Sequence, residues 1–341
     1  MTKWKFGLIG CGSVSEFHRK SIGELPNAEL VMLSDRTEAK ANQIAAAENC
    51  RWTTDYRELL QASDVDIVCL TTSSGTHASI GIEVLRAGKH LIVEKPIAMT
   101  AADADRMIAA AEEAGVTISV ISQRRYEPQH RLLHRLIQEG RLGKLLLLEA
   151  TTPYYRGQDY YDSADWRGTV SQDGGALMNQ GIHQVDLLLW LGGEVVSVFG
   201  HTATQTHRME AEDIGVAVTK FSNGALGTVM ASTSIQPGFA PSLVVYGEKG
   251  TVKLEGSTIT HWTVPGVDQP VFESPATTGG GISDPKEIPI YYHKQQIASV
   301  LKALEEGNPV EIDGTEGKRA VQFIEAIYRS SASGEAVQLV E

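Results

Sequence analysis

The chain has 341 residues, of which 42% are hydrophobic and 21% charged, and its formal net charge is −12. That length points to two domains rather than one core, and the acidic balance excludes nucleic acid as the main partner, since phosphate binding wants a basic face. Three widely spaced cysteines (Cys11, Cys50, Cys69) lack disulfide or zinc spacing and fit a reducing cytoplasm, while no run approaches the roughly 18 apolar residues of a membrane span and no export signal opens the chain.

In chain order, Lys5 to Ile9 reads as a short apolar strand, Gly10 to Ser15 as a turn, and Glu16 to Gly23 as the start of a helix. Ala28 to Leu33 is a second strand ending at Asp35, and Glu38 to Glu48 an alanine-rich helix. Val65 to Thr71 is a buried strand, His77 to Ala87 a helix, His90 to Val93 a strand, Ala101 to Ala114 a helix and Thr117 to Ser122 a strand. Strands alternating with helices at this spacing predict βαβ units and a doubly wound parallel sheet over residues 1–122.

From Leu145 the texture changes. Leu145–Thr151, Val195–Thr204, Ile214–Phe221, Ala225–Thr233, Ser242–Tyr246, Thr251–Glu255 and Thr258–Val264 read as strands without helices between most of them. Glycine turns at Ser222-Asn223-Gly224 and Gly247-Glu248-Lys249-Gly250 separate several. Residues 123–341 are therefore expected to form an α+β domain on a mainly antiparallel sheet. A helix is expected around Gly181–Leu191, and late helices at Tyr291–Glu306 and Thr315–Ser331 can pack on either domain. Gly279-Gly280-Gly281, with Pro265, Pro270 and Pro275, marks a loop-rich stretch.

Gly10-Cys11-Gly12-Ser13-Val14-Ser15 follows a strand and opens a helix, the setting a dinucleotide fingerprint requires. The first glycine makes the tight turn, and the second lets backbone approach a pyrophosphate at the helix N-terminus. Ser15 stands where a third glycine is usual. Asp35 ends the second strand, where an acid can accept hydrogen bonds from the adenosine ribose hydroxyls, which favours NAD. Arg36 beside it keeps NADP open, and a helix N-cap is the other role available to Asp35. Thr71, Thr72, Ser73, His77, Glu94, Lys95, Pro96 and Gln123 complete the candidate cofactor contacts, with His77 expected to cap a helix.

Lys95 follows a strand at the C-terminal edge of the sheet, and Pro96 fixes the backbone after it. An ammonium held there can stabilise an alkoxide developing as hydride leaves. By itself Lys95 reads equally as a surface lysine at a turn. In Gly174-Gly175-Ala176-Leu177-Met178-Asn179-Gln180-Gly181-Ile182-His183-Gln184-Val185-Asp186, a helix puts Asn179, His183 and Asp186 on one face. His183, between polar neighbours after a glycine pair, is a candidate general base.

Gly10-Cys11-Gly12, Glu94-Lys95-Pro96 and Gly174-Gly175-(x)3-Asn179-(x)3-His183 together resemble the Gfo/Idh/MocA oxidoreductases, over essentially the whole chain. The resemblance implies a Rossmann domain, an open-faced sheet through which dimers or tetramers form, a nicotinamide cofactor, and sugar or cyclitol substrates. It makes Lys95 the active-site lysine and His183 the proton carrier. Asn179 departs from the aspartate of many members. An amide can orient the histidine but adds no charge, so a lower histidine pKa, a heavier role for Lys95 or a charged substrate would follow.

Candidate substrate contacts are Lys95, Arg124, Arg125, Tyr155, Trp166, Arg167, Asn179 and His183: aromatic faces suit sugar rings and arginine suits hydroxyls or anions. For Arg124 and Arg125 the alternative is a domain-bridging ion pair; for Tyr154, Tyr155, Tyr160 and Tyr161 it is core or oligomer packing. No metal site is expected. The expected activity is reversible oxidation of a secondary hydroxyl to a ketone by a cytoplasmic enzyme with no membrane association. The rival is an NAD(H)-sensing regulator, or an enzyme whose bound cofactor recycles.

Overall fold

The computed structural model describes residues 3–272 and 290–339. The chain divides into two compact units, one of residues 1–123 and 290–318, the other of 124–289 and 319–341. The glycine run Gly279-Gly280-Gly281 and Pro275 lie outside the described residues.

In the first unit, six strands form a sheet in the order β3-β2-β1-β4-β5-β6, and every pairing is parallel. They are β1 (Trp4–Ile9), β2 (Ala28–Ser34), β3 (Arg51–Thr53), β4 (Ile67–Leu70), β5 (His90–Val93) and β6 (Ile118–Val120). All four residues of β4 are buried, as in a strand covered on both faces. The helices between them are α1 (Ser15–Gly23), α2 (Glu38–Glu48), α3 (Tyr56–Gln61), α4 (His77–Arg86) and α5 (Ala101–Ala114). Local chemistry sets the ends of α5: Thr100 accepts the Asp103 N–H at its start, and Gly115 takes φ 64 at its end. The short β3 and α3 escape a reading by periodicity, because three and six residues carry too little pattern. One late helix, α9 (Ile290–Glu306), joins this unit, where Gln296 donates to the Val120 carbonyl (2.8 Å) and accepts the Ser122 N–H (3.0 Å).

The second unit begins with α6 (Pro128–Gln138) and β7 (Leu145–Pro153), followed by the short α7 (Gln158–Asp162), a π-helical segment at Ala176–Gly181 and α8 (Ile182–Gly192). Then come β8 (Val195–Ala203), β9 (Ile214–Phe221), β10 (Leu226–Ser232), β11 (Ser242–Gly247), β12 (Thr251–Glu255) and β13 (Thr258–Trp262). α10 (Gly314–Ser333) runs through the boundary at Lys318, and β14 (Val337–Gln338) follows it. The sheet order is β13-β12-β11-β7-β10-β9-β8-β14. It is mainly antiparallel, as expected, and within it β7 pairs with β10 in parallel. The early β7 enters between β10 and β11, a neighbour relation that no local pattern encodes. Opposite Val229 of β10 lie Ala217 of β9 and Ala150 of β7; all three are buried. The alternate residues form an outer face, with Val216 (46%) and Val218 (55%) exposed. Leu187, Leu188, Leu189 and Leu191 of α8 are all buried, and Gly181 lets the chain approach β10, since a Cβ there would lie 2.7 Å from that of Ala231.

Candidate functional site

At the end of β1, Gly10 takes φ 92, and a Cβ on it would stand 2.9 Å from the Thr71 carbonyl oxygen. Only glycine fits. Gly12 is exposed, and a Cβ on it would find its nearest neighbour, the Thr71 carbonyl oxygen, 3.8 Å away, so space lies open in front of the helix. Ser15 is buried and its hydroxyl donates to the Gly12 carbonyl (2.6 Å), which shows how a serine replaces the third glycine without stranding a polar atom. Gly12, Ser13 and Val14 thus lead straight into the N-terminus of α1, a ready anion site.

The Asp35 carboxylate accepts the Cys11 N–H (2.8 Å) and the Thr37 N–H (2.9 Å). The N-cap position of α2 belongs to Thr37, so Asp35 is a brace for the loop rather than the cap. Arg36 is exposed beside it. Cys11 is buried; its thiol is pushed up to about 11 by burial, with the Asp35 charge adding to this, and it serves as packing. Thr71 stitches the end of β4 to the loop through the Ile9 and Gly10 carbonyls, and the Thr72 hydroxyl meets that of Thr76 at 2.7 Å. Ser73 is half-buried before the 3-10 turn Ser74–Thr76.

His77 corrects an expectation. It opens α4, but its ring caps nothing there: Nδ1 lies 2.8 Å from the Pro96 carbonyl oxygen and Nε2 3.3 Å from that of Thr72. Burial lowers its pKa, so a neutral ring braces the two loops. Glu94 also turns inward. Its Oε1 lies 2.8 Å from His18 Nε2 and 3.6 Å from His293 Nε2. Burial by itself would raise the Glu94 pKa, but the hydrogen bonds and charge of the two histidines outweigh it and hold the carboxyl well below its usual value. The glutamate of Glu94-Lys95-Pro96 therefore anchors the strand end, and half-buried Lys95 projects from a backbone fixed on both sides by buried residues. His18 and His293 went unmarked in the sequence, where only the buried face of α1 hinted at His18. Gln123, buried after β6, has an Oε1 that accepts no hydrogen bond from the described residues.

In the second unit, Gly174 (φ 75) and Gly175 precede the π-helical Ala176–Gly181, so the segment is not the continuous α-helix that the i, i+4, i+7 spacing assumed. Asn179 and His183 are half-buried. Asp186, expected on the same face, is withdrawn: it holds Arg125 in a bidentate pair (Nε–Oδ2 2.9 Å, Nη2–Oδ1 2.6 Å). Arg125 is 2% exposed and stacks over Trp190. Both partners belong to the second unit. A substrate contact for Arg125 is accordingly corrected to a buried structural ion pair, since its guanidinium is already chelated away from solvent. Arg124 donates from Nε to Glu127 (3.0 Å).

Asn179 donates from Nδ2 to Asp173, whose other oxygen accepts the Gly168 N–H (2.9 Å). The carboxylate missing at position 179 itself is thus present one step removed, on a residue just ahead of the glycine pair. Arg167 donates to the Tyr160 hydroxyl (2.7 Å) and stacks over Tyr160 and Trp166. Tyr155 and Trp166 are 37% and 36% exposed and offer aromatic surface. Arg156, by contrast, is buried and donates to the Tyr155 carbonyl.

Residues 4–122 match the model of an oxidoreductase family with an NAD-binding Rossmann fold, and residues 130–253 match the Gfo/Idh/MocA C-terminal domain. The chain belongs to the Gfo/Idh/MocA oxidoreductase family. Among solved structures of this family it is similar to the WlbA dehydrogenase from Bordetella pertussis in complex with NADH and UDP-GlcNAcA (34% identity, 99% of each chain covered, TM-score 0.88). It is also similar to the myo-inositol 2-dehydrogenase of Thermotoga maritima (25% identity over 99% of each) and to a scyllo-inositol 2-dehydrogenase (NADP(+)) of Bacillus subtilis (27%, covering 98% of this chain and 96% of that protein). The first unit is therefore an NAD-binding Rossmann domain. Its residues fit that group: open ground over Gly12, an acid braced at Asp35, and a buried acceptor on Gln123 that the described residues leave unsatisfied. No described helix is long and apolar enough to cross a membrane.

Proposed function

We propose that this protein is an NAD-dependent dehydrogenase that oxidises one secondary hydroxyl of a sugar carrying a nucleotide and a carboxylate. The sugar class is supported by the WlbA relative, whose 34% identity exceeds the 25–27% of the inositol dehydrogenases described above. The observation that carries the chemistry is half-buried His183, one turn beyond an Asn179 that is itself fixed by buried Asp173.

Oxidation removes a proton from the hydroxyl oxygen and a hydride from the carbon, leaving a ketone. The nicotinamide supplies the hydride acceptor. His183 takes the proton on a ring nitrogen, and Lys95 donates a hydrogen bond to the oxygen as negative charge gathers on it. Asn179 orients the same hydroxyl, with Asp173 fixing which way its amide faces. Trp166 and Tyr155 offer faces for the sugar ring, and Arg167 a cation for an anionic group. Asp35 favours NAD over NADP, because a carboxylate repels a 2′-phosphate.

The test is the appearance of reduced nicotinamide when NAD and NADP are offered separately with UDP-N-acetylglucosamine uronate, free sugar acids and myo-inositol. A rise with NAD and the nucleotide sugar alone is expected. A rise with myo-inositol alone would overturn the sugar class. Reduction confined to cofactor that stays bound, with no net turnover, would point to a recycling cofactor.

A further inference from the structure

One residue outside the expected site organises the segment that carries Asn179 and His183. Glu212 lies just before β9. Its backbone carbonyl accepts the Ala176 N–H (2.8 Å), and its Oε1 accepts the Leu177 N–H (2.9 Å) and the Tyr328 hydroxyl of α10 (3.0 Å). The first N–H groups of a helix have no partner within it, so Glu212 satisfies two donors of the π-helical turn at once. The preceding residue is fitted to the same carboxylate: a Cβ on Gly175 would fall 2.0 Å from Glu212 Oε2. Three consecutive residues are thereby shaped to a single residue, Gly175 and Leu177 to its carboxylate and Ala176 to its backbone carbonyl. Glu212 is only 8% exposed, and burial pushes its pKa up to about 7. An acid so costly to ionise would be a poor choice for mere solvation of a helix end, where Ser, Thr or Asn serves as well.

We propose that Glu212 is a positioning residue for the reaction, setting the start of the π turn and hence where Asn179 and His183 project. The proposal rests on His183 as the proton acceptor. π-helical turns recur at functional sites because the widened turn re-aims side chains. Here the widening is held at its first residue by the Glu212 backbone carbonyl, at its second by the Glu212 carboxylate, and at its end by the close approach of Gly181 to Ala231. Loss of the carboxylate frees the turn to relax toward ordinary α geometry, which would rotate Asn179 relative to Asp173 and His183 relative to the substrate hydroxyl.

The experiment compares Glu212→Ala, Glu212→Gln and Tyr328→Phe for kcat, KM and NADH affinity, with His183→Ala alongside. Glu212→Ala is expected to lower kcat by about tenfold to a hundredfold, the scale of a small misplacement of a reacting group. NADH affinity, a property of the first unit, stays unchanged. Glu212→Gln keeps an oxygen for the Leu177 N–H and restores most of kcat; Tyr328→Phe lowers kcat in the same direction by a smaller factor. Unchanged kcat in Glu212→Ala would overturn the proposal. So would a Gln variant as impaired as the Ala variant, or, where the Ala variant does not fold, full kcat in Tyr328→Phe. Persistent activity in His183→Ala would instead refute the proton-acceptor role, whatever the Glu212 variants do.

Discussion

Lys95 and Asp35 show how much hangs on the backbone around a single charged group. Lys95 follows a strand end pinned by Glu94, whose carboxylate meets His18 and His293 in the interior, so the ammonium starts from a fixed base. Lys95→Ala should reduce turnover by about 10²–10³-fold, the loss typical of one donor to a developing oxyanion, with melting temperature retained. Near-normal turnover in that variant would remove Lys95 from the mechanism. Asp35 braces Cys11, and in the proposed reaction it also presents charge to the ribose. Asp35→Asn keeps an acceptor for the loop and discards the charge, so use of NADP relative to NAD should rise by about tenfold or more. The ratio of kcat/KM with the two cofactors measures it.

At the scale of elements, the cofactor loop and the π turn are both shaped by what crowds them. Gly10→Ala would add a methyl into the Thr71 carbonyl and the Thr72 backbone in a conformation that alanine avoids. A drop in NADH affinity, read by fluorescence titration, is expected. The π turn carries its own linkage to pH. Glu212 is raised from 4.5 to about 7, mainly by burial, so the folded chain binds a proton that the unfolded chain has released. Its contribution is fully present below the unfolded value near 4.5 and is lost as pH climbs through 7. Between pH about 4.5 and 7, wild type should lose stability relative to Glu212→Gln, up to the ~3 kcal/mol that such a shift implies. Parallel melting curves of the two proteins across that range would contradict the shift.

At the scale of the whole molecule, the eight-stranded sheet exposes apolar side chains on one face among the described residues. Along β9, Val216 and Val218 alternate with buried Gly215, Ala217 and Thr219, and on β10 Leu226 is 56% exposed. An apolar sheet face of that kind is a natural seat for a second copy of the chain, and we propose a dimer or tetramer built through it. Val218→Glu would place a charge in the centre of that face. A shift to monomer by light scattering is expected, and a wild-type protein that is already monomeric would end the proposal.

Most of the elements could be read from periodicity. The buried run of β4, the alternation of β9 and the glycine turns between later strands each follow from local pattern. The cofactor loop was legible too, because a tight turn before a helix has few chemical solutions. Sequence spacing failed where winding changed: Asn179, His183 and Asp186 were set on one α-helical face, but the π turn broke the register and Asp186 went to Arg125. It also failed for partners far apart in the chain. His18, Glu94 and His293 meet across 275 positions, counting from 18 to 293, and Asp173 and Glu212 have no local signature. By itself the sequence determined the two sheet types and the dinucleotide loop, and it marked the lysine and histidine on which the proposed reaction rests, since these depend on side-chain type and short-range spacing. Tertiary structure alone decided that β7 runs parallel to β10, that Arg125 is structural, and that buried carboxylates fix Asn179 and the turn before His183. Those outcomes depend on which distant groups are desolvated together, and burial energy is a property of the assembled neighbourhood rather than of any local stretch of chain.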